Sequence, residues 1–286
     1  MNYIPEFLPT NSTSFLSNSS SQNIVKSFLR TMSWSFKAES LLFNSFHELE
    51  SRVLDTLKTK LSIPIYPVGP LIPHILLEKA PKDPYYLKWL DAQPRCSVLY
   101  VSLGSFLPLS GTQVDEIALG LGASGHHFLW VTRAETEHAQ SVHGDTGLVV
   151  PWCDQLKVLS HPSVGGFLTH CGWSSVLEGL YAGVPMLTFP LMWDQYPNSK
   201  LIVEEWKVGL RLTNEKKGVV GREEIAHLVR KLMHLDEDEN KELQRRLGDL
   251  NEKTRAALMG KGSSATNLDA FVQCITHRGR RGSQDS

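Results

Sequence analysis

Between Ser97 and Leu191 the sequence repeats one arrangement: an apolar, β-branched run, a turn, and polar residues spaced for a helix. The runs are SVLYVSLGS (97–105), HHFLWVTR (126–133), GLVVPW (147–152), VGGFLTH (164–170) and PMLTFPL (185–191). They lack the alternation of a half-exposed strand; near-continuous apolar strands are buried on both faces, as in the centre of a parallel sheet. Parallel strands need crossovers, usually helices. Helical segments stand at 174–182, 194–206 and 222–234, and Ser110 opens another. There S-G-T-Q fits a capping box with Ser110 as N-cap and Gln113 at the third helical position, and Val114, Ile117, Ala118 and Leu121 share one helical face. The pattern is that of an α/β, Rossmann-like sheet wrapped by helices, whose ligands bind beyond the carboxyl ends of the strands.

A chain of 286 residues is long enough for about two domains. Pro64, Pro67, Pro70 and Pro73 forbid a long helix across IPIYPVGPLIP and suggest an extended connector. We expect a first domain over 1–70, with a helix at 24–40, a buried strand in LLFNSF (41–46) and a helix in HELESRVLDTLKTK. A linker over 71–84, the sheet domain over 85–260 and a C-terminal helix and tail over 261–286 complete the expected division. The formal net charge of -1 gives no broad basic footprint for nucleic acid or an anionic membrane. Cys96, Cys153, Cys171 and Cys274 form no C-x-x-C pair and are too sparse for a disulfide framework, so reduced thiols are expected. The first residues show neither a basic n-region nor a continuous apolar run, so neither signal peptide nor membrane anchor is read and a cytoplasmic location is expected. The sequons at Asn11 and Asn18 read as part of a polar loop.

GLGASG (120–125) matches the dinucleotide fingerprint G-x-G-x-x-G, yet that motif needs a strand before it and a helix N-terminus after it. Here a capped helix precedes and a strand follows, so the glycines read as a helix C-terminus and a nicotinamide-dependent dehydrogenase is disfavoured. LTHCGWSSVLEG (168–179) raises three readings. As metal ligands, His161, His170 and Cys171 lack a second cysteine or acid pair at zinc spacing, and no metal is expected. Cys171 as a nucleophile with His170 as its base is disfavoured because successive side chains diverge. The third reading is positional: His170 ends a strand, Gly172 permits a sharp turn, and Trp173 to Glu178 begin a helix. Amides at that helix N-terminus, the Ser174 and Ser175 hydroxyls and a donor from His170 would hold a phosphate or diphosphate. An ordinary capped helix fits this stretch too.

From Trp152 to Gln195 the sequence WCDQLKVLSHPSVGGFLTHCGWSSVLEGLYAGVPMLTFPLMWDQ resembles the signature box of plant UDP-dependent glycosyltransferases of small molecules. SLGS at 102–105, GHHFLWVTR at 125–133 and YYLKWLDAQP extend the likeness in weaker form. The resemblance implies a GT-B fold: two facing Rossmann-like domains, here a C-terminal domain with its parallel sheet plus a remnant of the N-terminal acceptor domain. It implies that uracil stacks on Trp152, that backbone at Cys153 reads the uracil edge, and that Gln155 and Glu178 lie near the ribose. His170, Gly172, Ser174, Ser175 and Ser105 match the family's diphosphate cradle; Asp194 and Gln195, with Trp173 and Trp193 beside them, match the sugar-binding pair. The final Gln is associated with glucose. The partners so implied are a UDP-sugar as co-substrate and a small-molecule hydroxyl acceptor, with no separate cofactor, no nucleic acid, no membrane insertion and a monomeric complete enzyme.

Two departures stand out. Ser174 occupies a position where the family usually has Asn, so weaker donor binding is expected. Family members also carry a histidine base and an orienting aspartate near the start of the N-terminal domain, and this sequence enters the resemblance near that domain's end. No catalytic residue is therefore assigned; His47, the nearest candidate base, reads as a solvated histidine at a helix start. The expectation is an inverting, metal-free sugar transfer for the family, with little or no activity from this chain alone. A non-catalytic UDP-sugar-binding pseudoenzyme or interaction module is the alternative.

Overall fold

The computed structural model describes residues 37–73, 84–104, 109–133, 146–212, 218–234 and 237–282. The helix expected over 24–40 falls almost wholly outside them, as do Asn11, Asn18, Ser105 and the linker residues 74–83. The described chain forms two compact units, Met1–Leu71 with Lys253–Ser286, and Ile72–Glu252.

The larger unit is built on six parallel strands: β3 (Val98–Ser102), β4 (His127–Val131), β5 (Gly147–Val150), β6 (Val164–Thr169), β7 (Met186–Thr188) and β8 (Gly209–Arg211). Their order across the sheet is β5-β4-β3-β6-β7-β8. The chain thus winds outward from β3 in one direction, then returns to β6 and winds the other way, the doubly wound order with its reversal between β3 and β6. The five apolar runs of the sequence coincide with the first five of these strands. No run marks β8, because GLR is three residues long and carries no apolar pattern; its pairing with β7 makes it a strand.

Helices cover both faces. α2 (Tyr85–Asp91), α3 (Gly111–Ser124), α4 (Gln155–Leu159), α5 (Trp173–Ala182), α6 (Gln195–Lys200), which continues as a π-helical turn (Leu201–Glu205), and α7 (Arg222–Met233) belong to this unit. One core layer joins Leu99, Val101 and Trp130 of the sheet to Ile117 and Leu121 of α3 and Ile225 and Val229 of α7. α3 and α7 approach so closely at Gly120 that a Cβ there would lie 2.7 Å from Ile225 Cβ. Ser110 caps α3 as expected, accepting from Gln113 N at 3.2 Å. The reciprocal half of the capping box is not made: Gln113 instead bonds both backbone groups of Val220, at 2.8 and 3.0 Å, because its side chain is drawn into the α3–α7 layer. Gly125, with φ 76°, ends α3 in the left-handed conformation, so GLGASG is structural.

In the smaller unit β1 (Leu41–Phe43) pairs in parallel with β2 (Ile65–Pro67), followed in sequence respectively by α1 (His47–Lys60) and the proline-rich stretch. IYP within IPIYPVGPLIP is therefore a strand, and that stretch is not only a connector. α8 (Glu237–Leu258) contains the division between units, and α9 (Ser263–Gly282) packs on β2: Asn267 donates to Pro67 O at 2.9 Å and Tyr66 meets Phe271 edge to face at 5.5 Å. The C-terminal segment thus belongs with residues 37–71 and not with the sheet that precedes it. Among the described residues no helix is long and apolar enough to cross a membrane.

Candidate functional site

At the reversal, β3 and β6 lie side by side, with Ser102 opposite Thr169. The β6 loop, His170-Cys171-Gly172, turns directly into α5. Cys171 adopts φ 65°, and the bend is held by Thr169 Oγ1, which accepts from Cys171 N at 3.1 Å, and by Asn198 Nδ2, which donates to Cys171 O at 3.0 Å. Gly172 is the N-cap and has no side chain to cap α5, whose first turn also lacks an acid. The positive end of the helix is therefore not neutralised by its own residues.

The His170 ring fills the space between two glycines. A Cβ on Gly172 would lie 2.6 Å from His170 Nε2, and one on Gly104, where φ is +81°, would lie 3.0 Å from the same atom. His170 Nδ1 is buried and makes no hydrogen bond of good geometry. Burial lowers the ring's pKa, opposed in part by the Ser102 main chain and then by the Asp194 carboxylate, so the imidazole is neutral near pH 7. Cys171 is fully buried and its thiol is pushed up to about 12, which removes it as a nucleophile. His161 serves elsewhere, with Asp91 at 3.1 Å and Ser163 at 2.8 Å. His47 lies on the surface, 3.1 Å from Asp55.

One turn into α5 a polar chain begins. Gln155 Nε2 donates to Ser175 Oγ at 3.0 Å and to Glu178 Oε2 at 2.5 Å, while Gln155 Oε1 accepts from Tyr100 OH at 3.2 Å. These bonds leave the Ser175 hydroxyl hydrogen and Glu178 Oε1 available. Burial raises the Glu178 pKa and the Gln155 bond opposes the rise. Cys153 is buried, its thiol pushed up to about 11, and Trp152 beside it stands 66% exposed beyond the end of β5.

Beyond β7, Asp194 and Gln195 offer complementary groups. Gln195 Oε1 accepts from Leu191 N at 2.8 Å and Met192 N at 3.0 Å, so its amide donors remain for a ligand. Asp194 Oδ2 accepts from Asn198 at 3.0 Å, leaving Oδ1 as an acceptor. Trp193, at φ 49°, is 43% exposed, and Trp173 lies 6.4 Å from Trp206 between ring centres. Ser174 is exposed in the first turn of α5. Of the residues matched to the UDP-sugar site, only Ser105 lies outside the described residues. Two were missed: Tyr100, which looks like any apolar strand residue, and Asn198, whose place four residues after Asp194 was the one available signal.

Comparison with known proteins bears on the family and the fold. The profile of the family described as UDP-glucoronosyl and UDP-glucosyl transferase matches residues 75–233. UDP-glycosyltransferase 87A2 of Arabidopsis thaliana is 50% identical over 245 residues, which are 84% of this chain and 54% of that protein. Among solved structures, Phytolacca americana UGT2 complexed with UDP-2fluoro-glucose and pterostilbene superposes with a TM-score of 0.73 at 39% identity, over 84% of this chain and 54% of that one. Medicago truncatula UGT71G1 complexed with UDP-glucose gives 0.73 at 34% identity, over 84% and 55%. The chain spans about half the length of these relatives. It matches their C-terminal part and belongs to the family of UDP-glucoronosyl and UDP-glucosyl transferases.

Proposed function

We propose that this chain binds a UDP-sugar, with glucose as the sugar, and serves its transfer to a hydroxyl of a small molecule. One observation carries the reading: a single helix, α5, has an uncapped N-terminus beside His170 and, five residues on, a carboxylate with one oxygen to spare. At about 1.5 Å of rise per residue that is roughly 7.5 Å, a spacing suited to a diphosphate at the helix end and ribose hydroxyls at Glu178. Trp152 offers an exposed aromatic face on which uracil can stack. Asp194 accepts from sugar hydroxyls and Gln195 donates to them. The family relatives solved with UDP-glucose and UDP-2fluoro-glucose support the choice of ligand.

The reaction would run with inversion. An acceptor oxygen bonds to the anomeric carbon from the face opposite UDP as the bond from that carbon to the diphosphate breaks, and the acceptor's proton goes to a base. Charge developing on the leaving diphosphate meets the α5 amides, the Ser175 hydroxyl and His170, groups whose orientation the fold has already fixed. Calorimetric titration of the chain with UDP is the direct test. Binding is expected, and Trp152→Ala should weaken it at least about five-fold, since a stacked base is worth about 1–3 kcal/mol. No heat at millimolar UDP would sink the proposal.

A further inference from the structure

We propose that Tyr100 is a positioning residue for the nucleotide: its hydroxyl fixes the Gln155 amide and through it the Ser175 and Glu178 groups that meet UDP. The inference rests on the donor-site reading above. Tyr100 sits in the middle of β3, 1% exposed, with its ring stacked on Phe167 at 5.2 Å. Its neighbours Leu99 and Val101 are ordinary core residues, and packing alone asks nothing more of position 100 than an aromatic ring. A hydroxyl carried into a sheet core costs free energy unless it is bonded. This one is bonded, 3.2 Å from Gln155 Oε1, and lies 3.4 Å from Cys153 Sγ.

The orientation of the Gln155 amide follows from what surrounds it. Glu178 presents a carboxylate, which only accepts, so Nε2 must face it and Oε1 must face away. Tyr100 supplies the donor on that far side and closes the arrangement. Both ends of the amide are then held, and Ser175 accepts from the second Nε2 hydrogen while keeping its own hydroxyl hydrogen for a phosphate. The same loop is held from a second side, where Asp154 N donates to Tyr86 OH at 3.1 Å. Without the Tyr100 hydroxyl, Gln155 Oε1 is left unpaired next to an apolar layer, and the amide loses the partner that keeps it aligned with Ser175 and Glu178.

Four forms of the chain test this by UDP titration: wild type, Tyr100→Phe, Gln155→Ala and the double variant. Tyr100→Phe keeps the stacked ring and should weaken UDP binding about five-fold, the loss of one buried hydrogen bond, with a melting temperature within about 2 °C of wild type. If Tyr100 acts through Gln155, the double variant binds no more weakly than Gln155→Ala alone. Unchanged affinity in Tyr100→Phe, or two losses that multiply in the double variant, overturns the proposal while leaving the donor-site reading intact. Failure of wild type to bind UDP overturns both. A Tyr100→Phe chain that does not fold overturns it as well, since the hydroxyl would then serve folding and not the ligand.

Discussion

Either neutral form of His170 suits a diphosphate poorly. With the proton on Nδ1, Nε2 has only a bare lone pair to offer the anion; with it on Nε2, the buried Nδ1 is left without a donor to meet it. A bound diphosphate favours the imidazolium, which donates from both nitrogens, so binding should take up a proton. The sign follows: burial holds the free pKa below its usual value, the anion raises it, and affinity tightens as pH falls between the two. Titration with UDP-glucose, whose diphosphate does not titrate near neutrality, is expected to show tighter binding as the pH is lowered through neutrality. His170→Gln should flatten that gain. At lower pH affinity should fall in both forms, because Glu178, its pKa raised by burial, protonates and loses its acceptor oxygen. A profile that is flat in wild type would refute the proton uptake. Glu178 was named through the family resemblance, whereas His170 and Ser175 were legible as candidates because they stand within six positions of each other, on a strand end and the helix turn that follows it. Tyr100 and Asn198 were not: their partners lie 55 and 27 residues away, and only the folded sheet brings them together.

At the scale of elements, glycine marks where backbone and side chain come closest, and two glycines make opposite predictions. Gly172 has an ordinary φ of -58°, so a side chain there is not excluded by the backbone. It is excluded by His170, whose Nε2 would lie 2.6 Å from a Cβ. Gly172→Ala should therefore displace the ring from the turn, cost about 1–3 kcal/mol as overpacking does, and weaken UDP-glucose binding at least about ten-fold. Gly248 lies inside α8, and a Cβ added there would meet nothing within 4 Å. Gly248→Ala should stabilise the chain by up to about 1 kcal/mol through helix propensity alone. Thermal unfolding of both variants measures the contrast, and a stabilised Gly172→Ala would refute the steric account. The sequence showed where β3 to β7 lie because burial on both faces forces apolar runs, and it marked α3, α5, α6 and α7, but not the five-residue α4 between β5 and β6. It failed at β2, where prolines hid a short parallel strand, and at β8, where three residues carry no pattern. In each case the strand exists because a neighbour pairs with it, a fact no local window contains.

For the whole chain, the division into two units separates the proposed ligand site from the rest. Trp152, Gln155, His170, Glu178, Asp194 and Gln195 all fall within Ile72–Glu252, whereas β1, β2, α1 and α9 lie in the other unit. A ligand stabilises only those openings that destroy its site, by RT ln(1 + [L]/Kd), or about 2.7 kcal/mol at a hundred-fold excess over Kd. Hydrogen exchange with saturating UDP should therefore slow in peptides that cover 152–155 and 170–178, where backbone and polar chain meet the nucleotide. With UDP-glucose the slowing should extend to 191–198, because Asn198 ties the Cys171 turn to the Asp194 carboxylate and sugar contacts would tighten both. Peptides from 41–67 and 263–277 should exchange at the same rate with and without either ligand. Protection that spreads equally over both units would mean that binding stabilises the chain globally, and protection absent from 170–178 would mean that the uncapped end of α5 is not where the diphosphate rests. The comparison of UDP with UDP-glucose then separates nucleotide from sugar recognition within one molecule.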